Sequence, residues 1–313
     1  MKKAIVTGAA GFIGNRVVRT LLSHDVQVIA IVRKNKTVPD NLTDLPVRRV
    51  ECDINNYDTL ADTILDRDVD AIFHLAWQGV IGPDARNQNV QIMNLSGTLQ
   101  LIDAGHSLGA NTFIGAGSMH EAESLIEMAD DKPISNLGYM YKGAKIAAHW
   151  MGKAKAGSLG MRFFWPLINT YGEGERQERL LNMVIGHILC GETPSLSDGF
   201  QIYDFVHVDD VAEALYLIAN KGVDGTNYVI GSGNARPLRE FLIETARIAN
   251  GLRMGDSEIP LGFGAIKSNV ISLPIETFDV ASLIRDTGFS PKVSFDEGIR
   301  RTAVWLNEQM KFD

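Results

Sequence analysis

The sequence predicts an α/β protein built on a doubly wound parallel sheet. Three observations carry that prediction. Short apolar runs alternate with helical patterns through the first half of the 313-residue chain. Several of those runs are almost wholly apolar instead of alternating, as strands covered on both faces are. A glycine-rich turn joins the first run to the first helix, the connection a strand–helix–strand unit needs.

The elements follow in order. Strands are expected over residues 4–7, 26–32, 47–52, 70–76, 112–115 and 161–165. The second of these reads VQVIAIV, apolar at six of its seven positions. Helices are expected over 15–23, 57–64, 91–108 and 139–154, the first with Val17, Val18, Leu21 and Leu22 on one side. Beyond residue 170 the pattern is less regular. Residues 173–181 read as a charged loop, and helices are expected over 180–190, 209–220, 238–249 and 295–310, with Asp209 as an N-cap. The predicted division is a nucleotide-binding domain over 1–170 and a smaller, irregular α/β substrate-binding part over 171–313, with segments of 200–235 returning to the first domain. No internal repeat is visible.

Composition narrows the function. Hydrophobic residues make up 45% and charged residues 22%, an ordinary globular balance. The net charge of -8 opposes nucleic-acid backbones and anionic membrane surfaces, so neither is an expected partner. The first residues pair two lysines with an apolar run, but glycines interrupt it as they would not in a signal peptide. No apolar stretch reaches the roughly 20 residues of a membrane span, and a cytoplasmic location is expected. Cys52 and Cys190 stand in no metal-ligand or redox spacing, and both read as buried small hydrophobes. No metal site is expected.

Gly8-Ala9-Ala10-Gly11-Phe12-Ile13-Gly14 follows the first strand and opens the first helix. The first glycine permits the turn, the second lets backbone approach a pyrophosphate, and the third lets helix pack on strand. With Phe12 and Ile13 starting the helix, its N–H groups face the anion. This is a Rossmann-type dinucleotide site. The second strand ends in Val32-Arg33-Lys34, without the acid that would bind the ribose hydroxyl of NAD. The planar fork of Arg33, with the charge of Lys34, suits a 2′-phosphate and favours NADP over NAD. Asp53, after the third strand, is placed to accept from the adenine amino group, though an aspartate there is more often a turn former. Leu75, Ala76 and Trp77 end the fourth strand, where backbone would line the dinucleotide.

Tyr141 and Lys145 lie four apart in a helical stretch and so share a face. A free phenol, with a pKa near ~10, is a poor base at neutral pH. A neighbouring ammonium favours the phenolate, so this pair can exchange a proton with an alcohol or carbonyl as hydride moves. Ser118 follows the fifth strand, where a hydroxyl can bond the reacting oxygen. His120 and Glu121 beside it are further acid–base groups by type, though such a pair more often faces solvent.

Together these features resemble the extended short-chain dehydrogenase/reductases, the NAD(P)-dependent epimerase/dehydratase family that modifies nucleotide sugars. The resemblance runs through TGAAGFIG at 7–14, CDI at 52–54, HLAW at 74–77, NLSGT at 94–98, GSMHE at 117–121, YKGAK at 141–145, NTYGEGE at 169–175, YDFVHVDDVA at 203–212 and FSPKVSFDEGIRRT at 289–302. It implies Tyr141 as acid/base, Lys145 on the nicotinamide ribose, and Ser118 assisting. Asp53 and Ile54 fall in the cofactor block. Asn94 would support the cofactor site and Lys145 through water, and Asn169 would face the sugar or phosphate. A homodimer through helices 91–108 and 139–154 is implied.

Two departures bear on the reaction. The sugar 4,6-dehydratases of the family carry an Asp-Glu pair where this chain has Met119 and His120, so a dehydratase is not expected. Members that grip a diphosphate often place arginine where Tyr203 stands, and Arg176 and Arg179 are the available substitutes. The expected activity is NADP-dependent reduction of a 4-keto nucleotide sugar. A 4-epimerase with retained NAD is the alternative, and a non-catalytic NADP(H) sensor is the alternative of another class.

Overall fold

A computed structural model describes residues 1–34, 40–129, 136–253, 257–267 and 271–310. The chain divides into two compact units. The first comprises Met1–Ile168, Ala212–Ile230 and Ala281–Phe289, and the second Asn169–Val211, Gly231–Val280 and Ser290–Asp313.

The first unit is built on six parallel strands, β1 (Lys3–Thr7), β2 (Gln27–Val32), β3 (Arg48–Glu51), β4 (Ala71–His74), β5 (Thr112–Gly115) and β6 (Arg162–Phe164), in the order β3-β2-β1-β4-β5-β6. The order reverses beside β1, and such switch points leave a crevice at the carboxyl ends of the strands. Every residue of β4 and β5 is buried, the polar His74 and Thr112 included. Ile5, Ile72, Phe113, Leu101, Ile102 and Phe163 form part of one core cluster. Each such side chain contributes about 1.5–3 kcal/mol by leaving water.

The helices in chain order are α1 (Phe12–Ser23), α2 (Asp40–Thr43), α3 (Leu60–Thr63), α4 (Gln88–Ser107), α5 (Met119–Met128), α6 (Tyr139–Ser158), α7 (Leu180–Leu189), α8 (Val208–Lys221), α9 (Leu238–Leu252), α10 (Ala281–Thr287) and α11 (Phe295–Gln309). In the first unit α4 and α6 pack together. Gly152 lets α6 lie close on β6, because a Cβ there would meet the Phe163 ring at 2.9 Å. In the second unit α7, α9 and α11 pack around Phe241, Ile185, Leu242 and Ile299. Asp210 accepts from the backbone N–H groups of Lys292 and Val293 at 2.8 and 3.0 Å, tying the YDFVHVDDVA block to the closing block.

Four expectations need correction. The helix expected over 57–64 is a 3-10 turn at Ile54–Thr59 followed by the short α3. Asp209 is not an N-cap but lies inside the first turn of α8, where its carboxylate bonds Arg301 at 2.7 Å. Cys190 is exposed, and only Cys52 is buried; Cys190 caps the carboxyl end of α7 and so turns away from the packed face. Helix α5 stands after β5, where no helix was expected. No helix among the described residues is long and apolar enough to cross a membrane.

Candidate active site

The glycine-rich turn forms because its backbone must fold on itself. Gly8 has φ +67, and a Cβ there would meet the Ala76 nitrogen at 2.7 Å and the Leu75 carbonyl carbon at 2.8 Å. The Gly11 N–H donates to the Gly8 carbonyl at 2.8 Å. A Cβ on Gly14 would lie 2.0 Å from that same carbonyl oxygen. Helix α1 then starts at Phe12 with no side-chain cap and no acid in its first turn. Its leading N–H groups and positive dipole end are therefore left for an anion. The cradle fits the pyrophosphate of a dinucleotide, since only hydrogen at 8 and 14 leaves the approach open. Phe12 and Ile13 are half-buried beside it.

At the end of β2, Arg33 and Lys34 are exposed. The Lys34 N–H donates to the Asp53 carboxylate at 3.3 Å, so Asp53 joins the ends of β2 and β3 as well as preceding the Ile54–Thr59 turn. Ile54 packs on α4, where a Cβ on Gly97 would meet its carbonyl oxygen at 2.5 Å.

The segment after β4 is fastened from both sides. Thr98 donates to the Asn94 carbonyl at 2.8 Å, so it accepts from His74 Nε2, 3.0 Å away. His74 Nδ1 then accepts from the Thr7 hydroxyl at 2.9 Å, and that oxygen accepts from the Ala76 N–H at 3.3 Å. His74 is thereby held neutral, and burial, then the charge of Lys145, pushes its pKa down to about 3. Asn94 spends both ends of its amide on Gln78, accepting from the N–H at 2.9 Å and donating to the carbonyl at 2.7 Å. Its direct bonds thus fix the post-β4 backbone. Gln91 accepts from Trp77 Nε1 at 3.0 Å and donates to the Gly79 carbonyl at 2.9 Å. Gln91, Asn94 and Thr98 are all buried, and their spacing along α4 marks a polar stripe that sequence reading passed over apart from Asn94.

Tyr141 and Lys145 are both buried on α6. The Lys145 ammonium donates to the Ala116 carbonyl at 2.8 Å, just past β5. It lies 3.7 Å from the centre of the Trp77 ring and 5.3 Å from that of Trp165. Burial pushes its pKa down to about 7, against the charge of Glu121; the two indole faces also favour the cation. The Tyr141 ring meets Trp77 edge to face at 6.2 Å and His120 in the same manner at 6.3 Å.

Ser118 is the N-cap of α5, and with Glu121 it makes a capping box. Its oxygen accepts from the His120 N–H at 3.3 Å, while its own N–H donates to Glu121 at 2.9 Å. The sequence signature of that box, Ser-x-x-Glu, was available and would have placed the helix. Glu121 does not face solvent as such a residue more often does. It is buried, accepts from Trp165 Nε1 at 3.0 Å and bonds His149 Nδ1 at 3.1 Å. Met119 is buried, and His120 is half-exposed with Nδ1 2.7 Å from Glu123.

The remaining named residues belong to the second unit. Asn169 donates to the Asp204 carbonyl at 3.2 Å and its own carbonyl accepts from Val206. Arg176 is exposed, and Arg179 pairs with Glu175 at 3.1 Å. Tyr203 stacks on Phe205 with ring centres 5.5 Å apart. Glu173 bonds His207 at 3.0 Å and Arg301 at 2.7 Å. Burial raises its pKa, but those bonds and one from its own backbone outweigh this and hold it at about 2. Among the described residues no group of three or more His, Cys, Asp or Glu could hold a metal ion.

A glycine cradle under a helix start, with a buried Tyr and Lys on one helix face, defines a nucleotide-binding α/β protein of the extended short-chain type. The chain belongs to the NAD dependent epimerase/dehydratase family, whose sequence profile matches residues 4–231. It is 26% identical to a dTDP-glucose 4,6-dehydratase of Neisseria meningitidis serogroup B, over 97% of this chain and 93% of that one. Among solved structures, MoeE5 in complex with UDP-glucuronic acid and NAD is 26% identical, with a TM-score of 0.74 over 98% of this chain and 99% of that one. A UDP-glucose 4-epimerase of Thermotoga maritima, solved with UDP-glucose, superposes with a TM-score of 0.74 at 23% identity, covering 98% of this chain and 99% of that one.

Proposed function

We propose that the chain is an NADP-dependent reductase of a keto sugar carried on a nucleotide, in the first instance a 4-keto sugar. One observation carries the reading: Tyr141 and Lys145 are buried together on α6, with the ammonium fixed at the carboxyl end of β5. That is the end of the sheet at which the glycine cradle follows β1, since all six strands are parallel. The dinucleotide, when bound, supplies the hydride. Tyr141 gives its phenolic proton to the carbonyl oxygen of the substrate, and the Lys145 charge favours the phenolate left behind. Ser118 uses its oxygen to accept from His120, so its O–H stays free to bond the same substrate oxygen. Lys145 would also hold the nicotinamide ribose when the dinucleotide is bound. Arg33, exposed at the end of β2 with Lys34, takes the 2′-phosphate.

A nucleotide sugar as substrate is supported by the family and by MoeE5, which binds UDP-glucuronic acid. Asn169, Arg176 and Tyr203 are the substrate-side groups we propose from the second unit. Dehydration is disfavoured because Met119, a buried thioether, neither gives nor takes a proton. A second reading, a 4-epimerase with retained NAD, is favoured by the NAD of MoeE5. We also propose a homodimer in the cytoplasm. Ile92 of α4 is 62% exposed and Trp150 of α6 is 69% exposed, and large apolar side chains on two packed helices suit an interface.

The test is turnover of a panel of keto-sugar nucleotides with NADPH and NADH, followed by nicotinamide absorbance. NADPH consumption with net reduction is the expected result. Tightly held NAD with interconversion of two epimers would replace the reductase by the epimerase. Binding of NADP without turnover on any keto sugar would leave a sensor.

A further inference from the structure

The indole of Trp77 is fastened at its N–H and meets both members of the proton-transfer pair with its ring. The Lys145 ammonium lies 3.7 Å from the ring centre. The Tyr141 ring stands perpendicular to the indole, centres 6.2 Å apart. Trp77 Nε1 donates to Gln91 Oε1 at 3.0 Å. Gln91 Nε2 in turn donates to the carbonyls of Gly79 at 2.9 Å and Asp84 at 3.0 Å. Those two bonds set the Gln91 amide with its oxygen toward the indole, and the residue is buried. The ammonium needs such a neighbour. Its bond to the Ala116 carbonyl at 2.8 Å is to a neutral acceptor. Glu121, the carboxylate that acts on it, spends its oxygens on the Ser118 N–H at 2.9 Å, Trp165 Nε1 at 3.0 Å and His149 Nδ1 at 3.1 Å. Burial, only partly offset by the Glu121 charge, pushes the Lys145 pKa down to about 7, so half of these lysines would be uncharged at neutral pH. An indole face against a desolvated cation favours the charged form, and tryptophan presents the strongest such face.

We propose that Trp77 is a positioning residue of this site, its indole face keeping the Lys145 ammonium charged and seated beside Tyr141. The reaction it serves rests on the keto-sugar reading above; the charge on Lys145 does not. When Tyr141 gives its proton to the substrate oxygen it becomes a phenolate, and a cation one helical turn away favours that charge. A neutral Lys145 gives no such help. The indole therefore extends the proton transfer to higher pH. It does so without a negative charge of its own. A carboxylate in its place would favour the ammonium too, but would repel the phenolate that forms. The charged and titratable groups around the ammonium are Glu121 from α5 and His74 from β4. His149 lies behind Glu121, and His120 lies beside the Tyr141 ring. His74, pushed down to about 3, stays neutral through the range in which Lys145 titrates.

Fluorination of Trp77 tests the ring face while leaving its shape and its N–H on Gln91 in place. The full chain is made with one, two or three fluorines on the six-membered ring of this indole, introduced by nonsense suppression. Each fluorine withdraws electron density from the face and weakens its hold on a cation. The titration of Lys145 is read without dinucleotide or substrate, from the carbon-13 NMR shift of lysine Cε. Loss of the resonance in Lys145→Met identifies it. The midpoint is expected to fall with each fluorine, by about one pH unit with all three. Fluorinated Trp150, 69% exposed on α6, is the control and is expected to leave the midpoint where it was. With NADPH and a keto-sugar nucleotide, the alkaline limb of turnover is expected to move down by the same amount. A midpoint unmoved by three fluorines on Trp77 overturns the proposal, and so does an equal fall with fluorinated Trp150. A limb that stays in place while the midpoint falls also overturns it. A falling midpoint with no turnover of any keto sugar supports the hold on Lys145 and removes the reductase.

Discussion

The ammonium of Lys145 donates a 2.8 Å hydrogen bond to the carbonyl oxygen of Ala116. The donor is one helical turn beyond Tyr141 on α6, and the acceptor is the residue after β5. A buried cation costs free energy unless it is paired or hydrogen-bonded. Here the carbonyl and the face of Trp77 at 3.7 Å supply part of that compensation.

The first prediction concerns this charge and stability. Burial lowers the folded-state pKa of Lys145 to about 7, below its ordinary value of 10.5. Between those values the unfolded chain binds more protons, so folding becomes more favourable as pH rises through the window. Below about 7 the destabilisation is fully present. Lys145→Met is therefore expected to melt no lower than wild type at about pH 6.5, with its advantage shrinking by about pH 9.5, by an amount on the order of a few kcal/mol. Melting curves at the two pH values decide it; an advantage that grows with pH contradicts the assignment. Glu121 and His74 are the other ionisable groups that act on this lysine.

The second prediction is kinetic. Tyr141→Phe keeps the ring packed against Trp77 and His120 but removes the acid. Turnover is expected to fall by about 10²–10⁴-fold with cofactor affinity nearly unchanged. Parallel measurement of the rate and of dinucleotide binding by calorimetry checks this. Full activity in Tyr141→Phe would sink the proton-transfer role.

The third prediction tests the cradle. A Cβ on Gly14 would press on the Gly8 carbonyl at 2.0 Å, and both partners are backbone. Gly14→Ala is expected to lose on the order of 3 kcal/mol of stability and most dinucleotide affinity. Gly143→Ala, on α6 where a Cβ meets nothing within 4 Å, is the matched control for helix substitution. Equal melting temperatures for the two variants would argue against the close approach.

The fourth prediction concerns the choice of dinucleotide. Arg33→Asp replaces a fork suited to phosphate by a carboxylate suited to ribose hydroxyls. NADPH binding is expected to weaken by about 10²-fold, two charge-assisted bonds being lost, while NADH binding holds or improves. Titration of both dinucleotides against the wild type and the variant measures it. A uniform loss for both would remove Arg33 from the 2′-phosphate role.

The parts of the site that repeat along one element were legible in the sequence. The glycine turn, the Tyr141–Lys145 spacing and the apolar strands are local patterns fixed by helix pitch, strand burial and turn sterics. The parts made by residues distant along the chain were not legible. Nothing local to Glu123 reveals that it bonds Lys142, and nothing local to Trp165 places its indole against Glu121. Helix α5 was an intermediate case: its capping box was written at Ser118 and Glu121, but no helix was read there.

The sequence by itself determined the sheet class, the phosphate turn and which helix carries the tyrosine and lysine, because backbone sterics and periodicity act over a few residues. Only the tertiary structure decided that Asn94 clamps Gln78, that Glu121 is buried and that the Lys145 ammonium sits on the Trp77 ring. Those outcomes depend on which strands become neighbours, and the order β3-β2-β1-β4-β5-β6 brings together residues that no short-range pattern links.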